Sequence, residues 1–158
     1  MANGADDGQN TSGEQPGTFI DPYRSYNFQV QIRGVVEGHF TQCSSMSIKV
    51  DAISYREGGI QQIVHRLPGQ VEYGDITLRY GLTNSSDLFD WMMSAVNGKV
   101  DRRTVAIVLL DADGVSEKLR WSLSNAWPSA WRAAPLDALN REVAIEELTL
   151  VYESIARS

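Results

Sequence analysis

The sequence predicts a mainly-β protein: a small antiparallel β-barrel or sandwich, one flanking α-helix and a long protruding β-hairpin arm. Three observations carry this expectation. Most apolar residues recur with period two, in short runs separated by turn residues. A single stretch, beginning at Leu88, repeats at three- and four-residue spacing instead. And Tyr55-Arg56-Glu57-Gly58-Gly59, followed by Leu67-Pro68-Gly69, sets glycine pairs, a proline and adjacent opposite charges between two strand-like runs. That is the pattern of an extended arm with punctuated ends.

The elements follow in order. Residues 1–18 are almost all small or polar. Such a segment cannot bury enough apolar surface to offset its ordering entropy, so a disordered tail is expected, with the folded domain over 19–158. From Tyr26 onward, Phe28, Val30 and Ile32 alternate with Gln29, Gln31 and Arg33, a half-buried strand. Gly34 to Gly38 holds a turn or bulge. Met46, Ile48 and Val50 then alternate with Ser47 and Lys49, and these two runs read as neighbouring antiparallel strands. Ile53 and Tyr55 continue the alternation, Gly58-Gly59 break it, and Ile60, Ile63 and Val64 resume it. This predicts a hairpin over 51–66 with its tip near Glu57-Gly58-Gly59. Leu67-Pro68-Gly69 turns the chain back, and Ile76, Leu78 and Tyr80 mark a further strand.

Thr83-Asn84-Ser85-Ser86 offers N-caps and Asp87 adds favourable charge to a first helical turn. Leu88, Trp91, Met92, Ala95 and Val96 form one stripe, with Phe89 beside it. Asn97-Gly98 supplies the stop. Thr104 to Leu110 is apolar on both faces, as a central strand is. Asp111-Ala112-Asp113-Gly114 is a hairpin turn, and Leu119, Trp121 and Leu123 form the returning strand. Asn125-Ala126-Trp127-Pro128 and Trp131 read as a rigid aromatic loop. Val143 and Ile145 lead the last strand and Leu148, Leu150 and Tyr152 finish it. The parity change at Glu146-Glu147 predicts a β-bulge. Six or seven strands and one helix result.

The chemistry is sparse. A net charge of −6 argues against a nucleic-acid backbone binder, which needs clustered cations. Cys43 is the single cysteine, so the chain has no internal disulfide and no multi-cysteine metal site. His39 and His65 have no further ligands at metal spacing. Asp111-x-Asp113-Gly114 lacks the later ligands of a calcium loop. No glycine-rich loop opens a helix, and no serine sits in a nucleophile elbow. Glu146 and Glu147 fall on opposite faces of a strand. No catalytic, cofactor-binding or metal-binding residue is expected, and the chain reads as a non-enzyme. No run reaches the roughly 18 apolar residues of a membrane span, and residues 1–17 have no apolar signal core. A soluble protein made in the cytoplasm is expected, without membrane insertion.

Two segments are unusual for a free monomer: the apolar-alternating arm over 51–66, and the stretch from Trp127 to Leu139 with two Trp and two Pro. Exposed apolar segments of this kind mark protein–protein contacts.

A longer series of residues also carries a likeness. It runs Asp21-Pro22-Tyr23, Phe28-x-Val30, Gly38-x-Phe40, Tyr55-Arg56-Glu57-Gly58-Gly59, Leu67-Pro68-Gly69 and Ile76-Thr77-Leu78-x-Tyr80-Gly81. It continues with Leu88-x-x-Trp91, Asn125-Ala126-Trp127-Pro128-x-x-Trp131 and Val143-Ala144-Ile145-Glu146-x-Leu148. Over residues 21 to 155 this series resembles the tail tube proteins of contractile phages and phage-like contractile injection systems. The resemblance implies homohexameric rings stacked into a hollow tube inside a contractile sheath. It implies contacts with baseplate, initiator and terminator proteins, and passage of protein or DNA cargo without stable nucleic-acid binding. The subunit would assemble in the cytoplasm and then form part of a phage tail or injection particle. It places Ile53, Tyr55, Arg56, Glu57, Gly58, Gly59 and Ile60 on an arm against a neighbouring subunit. Trp127, Pro128 and Trp131 form a contact or packing loop. Two alternatives stand beside it: a tube initiator or terminator of the same particle, and a stand-alone β-barrel binding a ligand between Trp121, Trp127 and Trp131.

Overall fold

A computed structural model describes residues 27–33, 35–36, 40–59, 63–82 and 85–158. The expected tail, Asp21-Pro22-Tyr23, His39, Ile60 and the cap candidates Thr83 and Asn84 lie outside the described residues.

The described residues hold ten strands and one helix. They are β1 (Phe28–Ile32), β2 (Val35–Val36), β3 (Phe40–Cys43), β4 (Ile48–Tyr55), β5 (His65–Tyr73), β6 (Ile76–Gly81), α1 (Asp87–Val96), β7 (Arg103–Leu110), β8 (Glu117–Arg132), β9 (Ile145–Val151) and β10 (Ser154–Arg157). One sheet holds eight strands: seven follow the path β2-β1-β7-β8-β9-β6-β3, and the eighth, β10, lies off this path and pairs with β8. Every pairing is antiparallel. Strands β4 and β5 form a separate two-stranded sheet.

The path curls because β8 serves both halves of it. Its first half pairs with β7 on one edge and with β10 on the other, and its second half pairs with β9. Asn125 takes a positive φ of 53° at the junction, a conformation that asparagine tolerates better than most residues. Val30 and Ile32 of β1, Ile76 and Leu78 of β6, Val105 and Ile107 of β7, Leu123 of β8, and Leu148 and Leu150 of β9 then meet in one core. Strand β7 is buried at every position from Val105 to Leu110. Val105 and Ile107 enter that core, while Ala106, Val108 and Leu110 form a second cluster. This is the two-faced central strand that its composition predicts.

Helix α1 closes the core with Trp91, which is 1% exposed. The Trp91 Nε1–H donates to the Asp101 carbonyl at 2.7 Å. The Arg103 guanidinium lies 4.7 Å over the ring and pairs with the Asp101 carboxylate at 2.9 Å. Arg33 pairs with the same carboxylate. Together, Arg103 first, these cations hold the Asp101 carboxyl below the usual range. Ser86 stands at the N-cap, but its hydroxyl donates to Asp90 Oδ2 rather than accepting a backbone N–H. The left-handed stop is Gly98, at φ 77°.

Four expectations are corrected. The runs at 28–32 and 46–50 are not partners: β1 lies between β2 and β7, and β4 pairs with β5. Period-two alternation identifies a strand and carries no information on its partner. Leu67-Pro68-Gly69 is no turn; it lies inside β5, with Pro68 opposite Ala52. Among the described residues, strand β5 is paired on one edge only, so the missing proline N–H points away from the ladder. Asn125 to Trp131 is no loop but the bend and second half of β8. Pro128 pairs across to Leu150 beyond the end of β7, whose last partner on β8 is Ala126. Finally, β9 runs in continuous register with β6 through Glu146 and Glu147, and the irregularity lies in β8 between Pro128 and Ala130.

Trp91→Ala should cost about 3–5 kcal/mol, since it removes a fully buried aromatic together with its hydrogen bond. Urea denaturation followed by circular dichroism measures this, and an unchanged midpoint would contradict the placement of α1 in the core.

Candidate assembly interface

Strands β4 and β5 project as an arm about 26 Å long, at about 3.3 Å per residue. Their register pairs Ile48 with Tyr73, Val50 with Val71, Ile53 with Leu67 and Tyr55 with His65. Directly opposite residues of an antiparallel pair share a face. Near the root, one face therefore gathers Ile48, Val50, Val71 and Tyr73. The register then shifts between Val50 and Ala52, by one extra residue on β5. Beyond the shift, Ile53, Tyr55 and Leu67 stand on the other face. The arm thus shows an apolar patch on one side at its root and on the opposite side toward its tip.

Gly69 sits at the shift. A Cβ there would lie 3.1 Å from the Asp51 carbonyl oxygen and from Ile53 Cγ1. Glycine lets the Ile53 side chain lie across the backbone of β5.

Both patches are open. Ile48, Val50, Ile53, Tyr55, Leu67 and Val71 are all between 47% and 57% exposed. A free two-stranded hairpin is marginal in water, and among the described residues no further strand pairs with either edge of this one. The Lys49 ammonium bridges Asp51 at 3.0 Å and Glu72 at 3.9 Å; both pairs are solvent-exposed and contribute little. Arg56, Glu57, Gly58 and Gly59 are exposed at the tip, and Gly59 has φ 118°.

The aromatic residues expected beside the arm are elsewhere. Pro128 is fully buried. Trp131 packs against the core and meets Phe89 edge-on at 5.0 Å. Trp127 is half-buried. Trp121 lines a groove that includes neither of the other two. Sequence reading missed Leu67 and Val71 as arm residues, because Pro68 was taken for the end of the hairpin. Leu136 and Leu139, inside the stretch from Trp127 to Leu139 that the sequence marks for protein contacts, are 84% and 93% exposed in the segment joining β8 to β9.

Catalytic features are sparse here too. Among the described residues, no cluster of three or more His, Cys, Asp or Glu is placed to hold a metal ion. Burial pushes the Cys43 thiol up to about 11, away from thiolate chemistry. Glu147 pairs with Arg79 at 2.6 Å and Arg132 at 3.7 Å, while Glu146 lies opposite Tyr80. Burial, and then Glu146, raise the Tyr80 phenol to about 12. In the 111–114 turn, Asp113 accepts from the Ser116 hydroxyl and from the backbone N–H groups of Val115 and Ser116. These bonds lower its carboxyl to about 2 and account for the Asp-x-Asp-Gly pattern without a metal. No helix among the described residues is long and apolar enough to cross a membrane.

A family profile described as T4-like virus tail tube protein gp19 matches residues 24–156. The chain belongs to this tail tube protein family. As a tail tube protein it is a structural subunit of the tube. Solved relatives agree with this. A chain of the PVC extracellular contractile injection system sheath–tube complex, in its extended state, is 29% identical with a TM-score of 0.79, covering 87% of this chain and 91% of that one. A chain of the PVC sheath/tube terminator is 28% identical with a TM-score of 0.81, covering 89% and 99%. A chain of the anti-feeding prophage baseplate, 6-fold symmetrised, is 26% identical with a TM-score of 0.72, covering 88% and 97%. Hcp1 from Flavobacterium johnsoniae, 12% identical with a TM-score of 0.52 over 84% and 94%, shares the fold. A search of curated proteins finds no match.

Two outcomes are expected of this tail tube protein. Ile53→Asp should change thermal stability by less than about 0.5 kcal/mol, as an exposed substitution does, yet abolish higher-order assembly by size-exclusion chromatography. Asp113→Asn should flatten the acid limb of the stability curve. The carboxyl of Asp113 is depressed in the folded state, so its contribution is present above the unfolded value near 3.8 and lost as pH falls toward about 2. Denaturation midpoints measured from pH 4 to pH 2 test this, and parallel curves for the two proteins would contradict it.

Proposed function

We propose that this tube protein closes into six-fold rings that stack into a hollow conduit, with the β4–β5 arm of each copy packed on a neighbouring copy. One observation carries the reading: the arm exposes two apolar patches, on opposite sides, that nothing in its own sheet covers. A ring requires a heterologous contact, in which one surface meets a different surface on the next copy. An arm with an apolar patch on each side can meet two different surfaces. Ile53 and Tyr55 supply apolar contact area. Arg56 and Glu57 fix register rather than adding much energy.

The solved relatives support the wider setting. They come from a sheath–tube complex, a sheath/tube terminator and a 6-fold symmetrised baseplate. By analogy, a contractile sheath and a baseplate are this chain's partners, an injection particle or phage tail is its place, and cargo passes through its bore. Its role is architectural and not catalytic. The similarity to a chain of the terminator structure makes a terminator role the second reading. Copy number separates the two, since a main subunit is present in many copies per particle and a terminator in one ring.

The test is Gly59→Val. A Cβ at Gly59 meets no atom within 4 Å, so the expected effect comes from φ 118° alone, which a β-branched residue does not adopt without strain. The arm tip should rearrange and tubes should be lost by negative-stain electron microscopy, while the circular dichroism spectrum stays that of the parent. Normal tubes from this variant would count against the arm contact.

A further inference from the structure

A groove of about 230 Å³ lies where the arm leaves the barrel. Its walls are Met46 and Ile48 from the arm root, Trp121 from the first half of β8, and Ile155 and Arg157 from β10. Four of the five walls are apolar. A void of about 150 Å³ already accepts a benzene-sized body, so this one has room for a large aliphatic side chain. Arg157, on its rim, pairs with Trp121 through its backbone, and its guanidinium forms no ion pair among the described residues.

The complementary shape sits beyond the last residue of β8. Residues 133–144 join β8 to β9, and there Asp137 builds a tight turn. Its Oδ1 accepts the Leu139 N–H at 2.9 Å, and its carbonyl accepts the Asn140 N–H at 3.2 Å. The turn holds Leu136 and Leu139 outward, 84% and 93% exposed, on either side of one carboxylate. No residue of this turn lines the groove of its own chain.

We infer that the Leu136–Leu139 turn of one copy docks into the Met46–Trp121–Ile155 groove of a second copy. A leucine fills the apolar floor, and Asp137 meets Arg157 at the rim. The groove lies beside the first half of β8 and the turn follows its last residue, so they are different surfaces and a contact between them is heterologous and head-to-tail. Contacts of that kind repeat without limit when the rotation does not close, which is what stacking of one ring on the next demands. The charge pair fixes orientation more than it adds affinity. This inference rests on the tube reading and assigns its axial contact, which shares Ile48 with the root patch of the arm but not the tip patch of Ile53, Tyr55 and Leu67.

Disulfide capture in the full chain tests it. In a Cys43→Ser background, Leu139→Cys is combined with Ile155→Cys and oxidised under assembling conditions. The expected product is a ladder of covalent oligomers on a non-reducing gel, absent from either single variant and collapsed by reductant. Tubes or rings seen by electron microscopy without a ladder would overturn the contact and leave the tube reading standing. A fast-migrating monomer with an internal disulfide would overturn it as well. No rings or tubes from the parent protein would overturn both. Exposed charge variants supply an independent check. Arg157→Asp, which leaves the Asp137 turn intact, should reduce stacked tubes at least about tenfold, and Arg157→Lys should keep them. Undiminished stacking in Arg157→Asp would overturn the inference.

Discussion

Strand β8 is the element on which the rest of the molecule depends. Its sixteen residues are held by β7 and β10 along one half and by β9 along the other. The bend at Asn125 lets the two halves face one core instead of extending one flat sheet. Pro128 stands where β7 has already ended, so the missing N–H interrupts no ladder. The same strand carries Trp121 beside the arm root and delivers the Leu136–Leu139 turn beyond its far end. The distance between two surfaces of the protomer is thus set by one continuous run of backbone.

A consequence is that folding and assembly draw on different residues. The barrel core is complete without the arm: Val30, Ile76, Leu78, Val105, Leu123, Leu148 and Leu150 are all at 0% exposure. Of the apolar residues of β4 and β5, Tyr73 packs against that core, while Ile48, Val50, Ile53, Tyr55, Leu67 and Val71 stay open to solvent. A hairpin that exposes Ile, Val, Leu and Tyr on two faces, with no further strand on either edge among the described residues, is an aggregation hazard in a free monomer. In a subunit of a tube the same features provide the contact, because a neighbouring copy covers them.

Much of this was legible in the sequence. The core strands were visible because their alternation coincides with one buried face: Ile76, Leu78 and Tyr80 are all buried, as their spacing predicts. The helix was visible because it is the sole segment with helical periodicity. The arm was visible because Gly58-Gly59 interrupts a long alternation. What escaped was governed by context. Pro68 and Pro128 read as turns, since proline usually ends a strand, yet each sits on an edge that needs no donor. The break in parity at Glu146 read as a bulge. In the fold, Glu146 simply takes an inward position opposite Tyr80 at the end of the core, and Ile145 faces outward. The two-sided patch on the arm could not be read at all, because it depends on a register shift between β4 and β5 that neither strand encodes by itself.

Cryo-electron microscopy of the particles formed by the purified full chain tests the central claim most directly. The account predicts stacked rings in which Ile53, Tyr55 and Leu67 are buried against another copy. Rings whose arms project free into solvent, or compact monomers at every concentration, would contradict it.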